Sequence, residues 1–258
     1  MKQYFFISGL PRSGSTLLSS ILRQNPRFHT SVSTNLLSYV RSIIEAGSDG
    51  NKSMIDPQRT KRIMMSAVDS FYQNIERNIV FDTNRLWTNL LPQLRDCFPY
   101  TKVICCVRDI NWIIDSFDRL HQKNPYLVST VFPPSVDMHV YSRSSSLMAD
   151  SGIVKTPYDS LKSAICGMHS DMLFLLEYEL LCKNPEGCMK AIYNFIDQPY
   201  FQHNFDNVEI SFDEFDKEVN MRGLHTTRKK VEWIERKHIL PPDILSLYKD
   251  MEVWRYNR

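Results

Sequence analysis

A glycine-rich segment near the start of the chain constrains the fold more than any other feature. Residues 9–16 read Gly-Leu-Pro-Arg-Ser-Gly-Ser-Thr, after the apolar run Tyr4–Ser8 and before a helical pattern that starts near Ser15. A strand, a loop of this spacing and a helix form a phosphate loop, whose amides converge on an anion beside the positive end of the helix dipole. The spacing predicts an anion site at Arg12, Ser13, Gly14, Ser15 and Thr16.

The loop lacks the lysine that usually precedes the last hydroxyl of a phosphate loop. Ser15 stands at that position, and Arg12 is the only cation of the loop. Kinases and ATPases use the lysine together with Mg²⁺ on a terminal phosphoryl group. A sulfuryl group carries one negative charge fewer and needs no metal to neutralise it. Arginine, hydroxyls and amides therefore suit a 5′-phosphosulfate, and we expect no metal at this site.

Three further apolar runs predict buried strands, because each is short, uninterrupted and followed by a helical pattern. They are Ile79–Phe81, Lys102–Val107 and Leu173–Tyr178. Alternating strands and helices predict an α/β fold, a doubly wound parallel sheet of the phosphate-loop type flanked by helices. No repeat or linker divides the sequence, so we expect one domain over residues 1–258. Residues 121–159 show the least periodicity, which fits either a mobile loop over a site or an ordinary surface loop.

Polar residues follow each predicted strand. Asp82 and Arg85 come after the second, Arg108 after the third, and Tyr178 ends the fourth. Ligands of open α/β sheets bind outside the carboxyl ends of the strands, so we expect these side chains to share one crevice with the phosphate loop. Ser116 lies eight residues after Arg108 on the next predicted helix, and this pair suits a second anion.

The overall charge excludes a nucleic-acid coat, since 31 Lys and Arg nearly balance 29 Asp and Glu. The densest basic run, residues 222–230, is typical of a solvated face, but it would also suit a flap over a phosphate-rich ligand. No apolar run is long enough to span a membrane or to form a signal peptide. Six cysteines show no metal-ligand spacing, which favours reduced thiols and a cytoplasmic location.

These segments resemble the sulfotransferases that use 3′-phosphoadenosine 5′-phosphosulfate (PAPS), and the resemblance spans Phe5 to Trp254. Leu10–Leu18 resembles the family's 5′-phosphosulfate loop, which is shared with tyrosylprotein sulfotransferases. Cys106–Ser116 is similar to the 3′-phosphate motif, with its arginine and serine eight residues apart. Phe81–Trp87 and Gly223–Trp233 resemble a bacterial-type branch of small soluble members.

The resemblance implies a role for each matching residue. The segment Arg12–Thr16 would hold the 5′-phosphosulfate, and Arg108 with Ser116 would hold the 3′-phosphate. Tyr178 would lie near the nucleotide. The C-terminal basic residues Arg228 and Lys230 would close on it.

The sequence departs from this family at the catalytic residues. Tyrosylprotein sulfotransferases carry a glutamate base shortly after the phosphate loop, where this chain has no carboxylate, and their catalytic lysine corresponds to Thr83. We therefore expect Arg12 and Arg85 to stabilise the charge of the transferring group. His29 and Asp82 are the candidate general bases, since imidazole titrates near neutral pH and burial raises the pKa of a carboxyl.

The resulting hypothesis is in-line transfer of a sulfuryl group from PAPS to an acceptor hydroxyl or amine. Two alternatives stay open. A kinase-like phosphotransferase would need a magnesium-binding carboxylate at a strand end, such as Asp82 or Asp109. A nucleotide-binding module without turnover would explain the missing glutamate and lysine. The sequence leaves the acceptor open among a small molecule, a glycan and a peptide.

Overall fold

The computed structural model describes residues 2–48, 56–124, 126, 129–132, 139–208, 216–217 and 221–255. Within them one parallel sheet has the strand order β2-β3-β1-β4-β5. The strands are β1 (Gln3–Gly9), β2 (Phe28–Thr30), β3 (Ile79–Thr83), β4 (Val103–Val107) and β5 (Leu173–Glu177). The predicted α/β fold is confirmed.

Helices connect the strands. They are α1 (Ser15–Leu22), α2 (Leu36–Ser48), α3 (Pro57–Phe71), α4 (Leu91–Cys97), α5 (Ile110–Gln122), α6 (Val140–Leu147), α7 (Lys155–Ile165), α8 (Tyr178–Lys183), α9 (Pro185–Phe195) and α10 (Pro242–Leu247). Short 3₁₀ helices cover Trp87–Leu90, Ser170–Met172 and Val253–Arg255. No described helix is long and apolar enough to cross a membrane.

The sheet separates two apolar layers, because successive side chains of a strand point to opposite faces. In β1, Phe5 and Ile7 pack with α1 and α9, whereas Tyr4 and Phe6 pack with α3, α4 and α5. Phe5, Phe6 and Ile7 are fully buried, and full burial of such a side chain stabilises the fold by about 1.5–3 kcal/mol. Burial on both faces is what makes the strands read as continuous apolar runs in the sequence.

The segment 121–159 is the main correction to the expected fold. Residues 140–147 form α6, which begins with a capping box at His139 and Ser142, and α7 begins at Lys155. Arg143 of α6 forms an ion pair of 2.6 Å with Asp118 of α5, both nearly buried. The described part of this stretch thus includes α6 and the beginning of α7, which contribute Leu147 and Tyr158 to the core. Residues 133 and 134, part of the expected loop, lie outside the described residues.

Candidate active site at the carboxyl ends of the strands

A cleft of about 390 Å³ opens at the carboxyl ends of the strands. The phosphate loop after β1, residues 83–85 after β3, Arg108 after β4 and residues 224–236 form its walls. The predicted binding residues that line it are Arg12, Gly14, Ser15, Thr16, Arg85, Arg108, Ser116, Tyr178, Arg228 and Lys230. The remaining one, Ser13, is buried beneath, and its hydroxyl donates a hydrogen bond of 3.2 Å to the Pro11 carbonyl.

Backbone conformation explains the glycines of the loop. Gly14 has φ +92°, and a Cβ there would lie 2.7 Å from the Tyr178 ring. Gly14 is also the N-cap of α1, and it leaves the first amides of the helix without a side-chain cap. Uncapped amides at a helix N-terminus are donors for an anion, so the loop provides an anion cradle closed on one side by Tyr178.

Arg12 connects three parts of the cleft. Its Nε donates to Ser116 Oγ at 3.1 Å, and its Nη1 donates to the Leu224 carbonyl. Its own carbonyl accepts a hydrogen bond of 3.2 Å from Arg108 Nη1. Burial and the charge of Arg108 lower the pKa of Arg12 to about 10, so it keeps its charge at neutral pH. Ser116, predicted to act with Arg108, is thus bound directly to Arg12.

Arg108 retains an unused donor. Its Nε is buried and has no hydrogen-bond partner among the described residues. Its guanidinium lies 4.4 Å from the centroid of the Tyr178 ring, which fixes its orientation by a cation–π contact. A buried donor without a partner is uncommon in folded proteins and points to a missing ligand.

The cleft is strongly cationic. Lys230 and Arg236 already pair with Asp206 and Asp115, both at 2.9 Å. The full set of charged residues that line the cleft is Arg12, Arg85, Arg108, Arg228, Lys230, Arg236 and one carboxylate, Glu232. The described residues contain no group of His, Cys, Asp and Glu that could hold a metal ion. The cleft therefore favours a ligand with several negative charges.

The structure does not bring either predicted general base into the cleft. His29 lies in the edge strand β2, and its ring packs 5.6 Å from that of Tyr72. Asp82 is 1% exposed, and its carboxylate accepts hydrogen bonds from Thr34 (2.6 Å), Tyr72 and Trp87 (2.7 Å). Neither side chain lines the cleft. Asp82 points to the layer of α3 and α4, where these three hydrogen bonds hold its carboxylate.

Sequence reasoning missed a histidine of the cleft. His225 lines the cavity, and its Nδ1 lies 2.8 Å from Oδ1 of Asp216. The sequence shows His225 only as one member of the basic run 222–230, and Asp216 lies nine residues before it. No short motif joins the two residues, so only the folded chain reveals the contact.

The chain is similar to known sulfotransferases in sequence and in fold. The profile of the "Sulfotransferase family" matches residues 5–202. No curated protein matches the chain significantly. Solved structures with a similar fold include the sulfotransferase domain from the curacin biosynthetic pathway, with 16% identity, a TM-score of 0.53 and coverage of 78% of this chain and 76% of that one.

Two further structures cover more of the chain. The sulfotransferase domain of the Synechococcus PCC 7002 olefin synthase has 18% identity, a TM-score of 0.51 and coverage of 96% of this chain and 94% of that one. A retinol dehydratase in complex with retinol and PAP has 14% identity, a TM-score of 0.50 and coverage of 100% and 82%. At such identities the likeness establishes the fold.

Proposed function

Because the chain belongs to the sulfotransferase family, it is an enzyme of sulfuryl transfer, and we propose that it takes the sulfuryl group from PAPS bound in the cleft. The retinol dehydratase with a similar fold is complexed with PAP, which is PAPS without its sulfuryl group. A donor that carries a 3′-phosphate and a 5′-phosphosulfate matches a cleft with several arginines. No bound metal is part of the proposal.

The observation that carries the proposal is the pair of anion-binding groups at the strand ends. The amides and hydroxyls of residues 13–16, together with Arg12, suit the 5′-phosphosulfate. The unpartnered Nε of Arg108 and the hydroxyl of Ser116 suit the 3′-phosphate. Arg228 and Lys230 also line the cleft and add positive charge for the nucleotide.

The proposed chemistry is in-line displacement at sulfur. PAPS supplies an activated sulfuryl group. Arg12 and Arg85 stabilise the negative charge that develops on the oxygen leaving the sulfur and on the sulfuryl oxygens. Donors that are already oriented by the fold stabilise such charge at little cost of reorganisation, which is commonly the largest contribution to catalysis.

Phosphoryl transfer receives no support from Asp82 and Asp109, the two carboxylates considered for magnesium. Asp82 is bound by Thr34, Tyr72 and Trp87, and Asp109 caps α5 by accepting a hydrogen bond of 3.1 Å from the Trp112 amide. Both aspartates named for magnesium thus serve the fold. Glu232 also lines the cleft, among six arginine and lysine side chains of its described lining.

The acceptor carries the hydroxyl or amine that receives the sulfuryl group. One side of the cleft is apolar and includes Phe117, Val131 and Ile153. We propose that this side holds the apolar part of a small-molecule acceptor. The retinol dehydratase with a similar fold is in complex with an apolar small molecule of this kind, retinol.

Replacing Arg108 by alanine is expected to weaken binding of adenosine 3′,5′-bisphosphate about 30-fold or more. The reason is that truncating one member of a buried charge pair costs about 2 kcal/mol or more, and 1.4 kcal/mol is a factor of ten. Isothermal titration calorimetry of the wild-type and variant proteins measures the change. ATP with magnesium, titrated in parallel, is expected to bind more weakly than the bisphosphate.

The matched control for this experiment is Arg95→Ala. Arg95 is an arginine of α4 that pairs with Asp171 on the surface and does not line the cleft. The Arg95→Ala variant is expected to bind adenosine 3′,5′-bisphosphate with the affinity of the wild type. Preferential binding of ATP with magnesium, or equal binding by Arg108→Ala and Arg95→Ala, would contradict the proposed donor.

A further inference from the structure

One side of α5 is covered by a segment without regular secondary structure. Trp112, Asp115 and Arg119 are three and four residues apart, so they lie on the same side of this helix. Residues 236–239, here named the strap, pack against that side and form neither helix nor strand. The ring of His238 stacks on the ring of Trp112, with 3.6 Å between the two centroids. The strap is therefore attached to α5 through side chains.

A buried carboxylate lies at the centre of this attachment. Asp115 is completely buried. Its Oδ2 accepts a hydrogen bond of 2.8 Å from Arg119 Nε and lies 2.9 Å from Arg236 Nη2, and its Oδ1 accepts a hydrogen bond of 2.8 Å from the Ile239 amide. Arg119 adds a further contact, since its Nη2 donates to the Lys237 carbonyl at 2.6 Å. Asp115 and Arg119 thus hold the strap at both ends.

The burial of this charge favours the docked strap. An ionised carboxylate that is removed from water is destabilising unless it is paired and hydrogen-bonded. At Asp115 two guanidinium groups and one amide offset the loss of water. Two of these three donors, Arg236 and Ile239, belong to the strap. Release of the strap would leave the carboxylate with Arg119 alone among the three.

The docked strap brings Arg236 to the cleft. Arg236 and Arg108 both line the cleft. Their guanidinium carbons lie 5.2 and 6.0 Å from the centroid of the same ring, that of Trp112. Burial lowers the pKa of Arg108 most, and the positive charge of Arg236 lowers it further, so the two cations act on each other. An anion bound beside both guanidinium groups would relieve this repulsion.

We propose that Asp115 is a positioning residue of the nucleotide site, because it holds the strap on α5 so that Arg236 faces the 3′-phosphate beside Arg108. This inference rests on the proposed function, which assigns the 3′-phosphate to Arg108 and Ser116. Asp115 is completely buried and does not belong to the described lining of the cleft. Its effect on the nucleotide therefore passes through Arg236.

A double-mutant cycle tests whether Asp115 acts through Arg236. Asp115→Asn and Arg236→Gln are each expected to weaken binding of adenosine 3′,5′-bisphosphate about 10-fold, the effect of losing one hydrogen bond to a charged group. The double variant is also expected to lose only about 10-fold, because no arginine remains to be positioned. Calorimetry measures all four proteins. Unchanged affinity in Asp115→Asn, or losses that multiply to about 100-fold in the double variant, would overturn the proposal.

Two controls locate the effect. Asp118→Asn changes another buried aspartate of α5, which pairs with Arg143 of α6 instead of the strap, and it is expected to bind the bisphosphate as the wild type does. Adenosine 5′-phosphate lacks the 3′-phosphate, so Asp115→Asn is expected to bind this nucleotide with nearly the affinity of the wild type. An equal loss for both nucleotides would contradict the position assigned to Arg236.

Limited proteolysis tests the attachment in the absence of nucleotide. Trypsin cleaves after arginine and lysine in segments that leave the fold, and the strap begins with Arg236 and Lys237. Cleavage there is expected to be about 10-fold faster in Asp115→Asn than in Asp118→Asn, because the rate follows the population of the released strap. Equal rates would show that Asp115 does not hold the strap.

The outcomes distinguish this inference from the proposed function. Wild-type protein that does not bind the bisphosphate contradicts the proposed function and the role of Arg236 together. Wild-type protein that binds it, with no effect of Asp115→Asn on affinity, contradicts only the positioning role. If Asp115→Asn does not fold, Arg119→Gln replaces it in both experiments with the same expected results, since Arg119 is partly exposed and holds the Lys237 carbonyl.

Discussion

Replacing Arg12 by alanine is expected to lower the turnover of PAPS by about 10³-fold, the largest loss for any single residue of the cleft. Loss of one donor that stabilises developing negative charge typically costs 10²–10³ in kcat. Arg12 also donates to Ser116 and to the Leu224 carbonyl, so the substitution loosens two walls of the cleft as well. The effects on charge and on position act in the same direction.

The backbone conformation of residue 12 does not account for the expected loss of turnover. Arg12 has φ +57°, a left-handed conformation that alanine and arginine adopt at a similar cost since both carry a Cβ. Arg12→Lys keeps one positive charge but loses the planar fork that reaches Ser116 and Leu224 together. We expect its kcat to lie between those of the wild type and Arg12→Ala.

Kinetics and binding together locate the effect. Single-turnover rates with saturating PAPS measure the chemical step, and calorimetry with adenosine 3′,5′-bisphosphate measures binding. Ser116→Ala is the control, because it removes the hydroxyl that contacts Arg12 at 3.1 Å and leaves the guanidinium in place. If Arg12→Ala lost no more turnover than Ser116→Ala, the arginine would serve only to position Ser116, and its role in charge stabilisation would be wrong.

Much of the fold was predictable because its central strands, β1, β3 and β4, are buried on both faces. β1, β3, β4 and β5 all read as uninterrupted apolar runs, and the two glycines of the loop sit where the backbone needs positive φ. β2 was missed for a physical reason. It has three residues at the edge of the sheet, too few for any period to show.

The sequence predicted which proposed cofactor-binding residues would line the cleft better than it predicted the position of the proposed general bases. The loop and Arg108 are fixed by position, since the carboxyl ends of parallel strands meet at one edge of the sheet. The direction of a side chain near a strand end depends instead on its place in the alternation. Phe81 faces the layer of α1, and Asp82, the next residue, faces the layer of α3 and α4.

The contact between His225 and Asp216 depends on tertiary structure. Neither residue lies on a strand end, and the loop that carries His225 reaches the cleft through the bond from Arg12 to Leu224. A basic run in a sequence is typical of an exposed surface, and the histidine inside it has no local signal of its own. Long-range contacts of this kind cannot be read from spacing.

Gly9→Ala is expected to remove most of the folded protein. Gly9 ends β1 at φ +104°, in register with Cys106 of β4. A Cβ there would lie 2.2 Å from the Cys106 carbonyl oxygen and 2.7 Å from its amide nitrogen, both of which are backbone atoms in the neighbouring strand. The two strands lie at the centre of the sheet, so they cannot separate without breaking their ladder.

The size of the effect follows from two contributions. A left-handed backbone costs a residue with a Cβ about 1–2 kcal/mol. The clash adds to this, and we expect a total loss above about 4 kcal/mol, the range of severe single substitutions. Since folded proteins are stable by only about 5–15 kcal/mol, such a loss leaves little margin.

Gly223→Ala separates the two contributions. Gly223 has φ +84°, but a Cβ there would meet only Leu120 Cδ1 at 3.7 Å, an ordinary contact. The free energy of unfolding of Gly223→Ala is expected to fall only by the cost of the left-handed backbone, about 1–2 kcal/mol. Urea denaturation followed by circular dichroism measures both variants, with soluble yield as the readout if Gly9→Ala does not fold. Equal midpoints for the two variants would show that β1 and β4 can move apart. That result would contradict the predicted clash between a Cβ at position 9 and the backbone of Cys106.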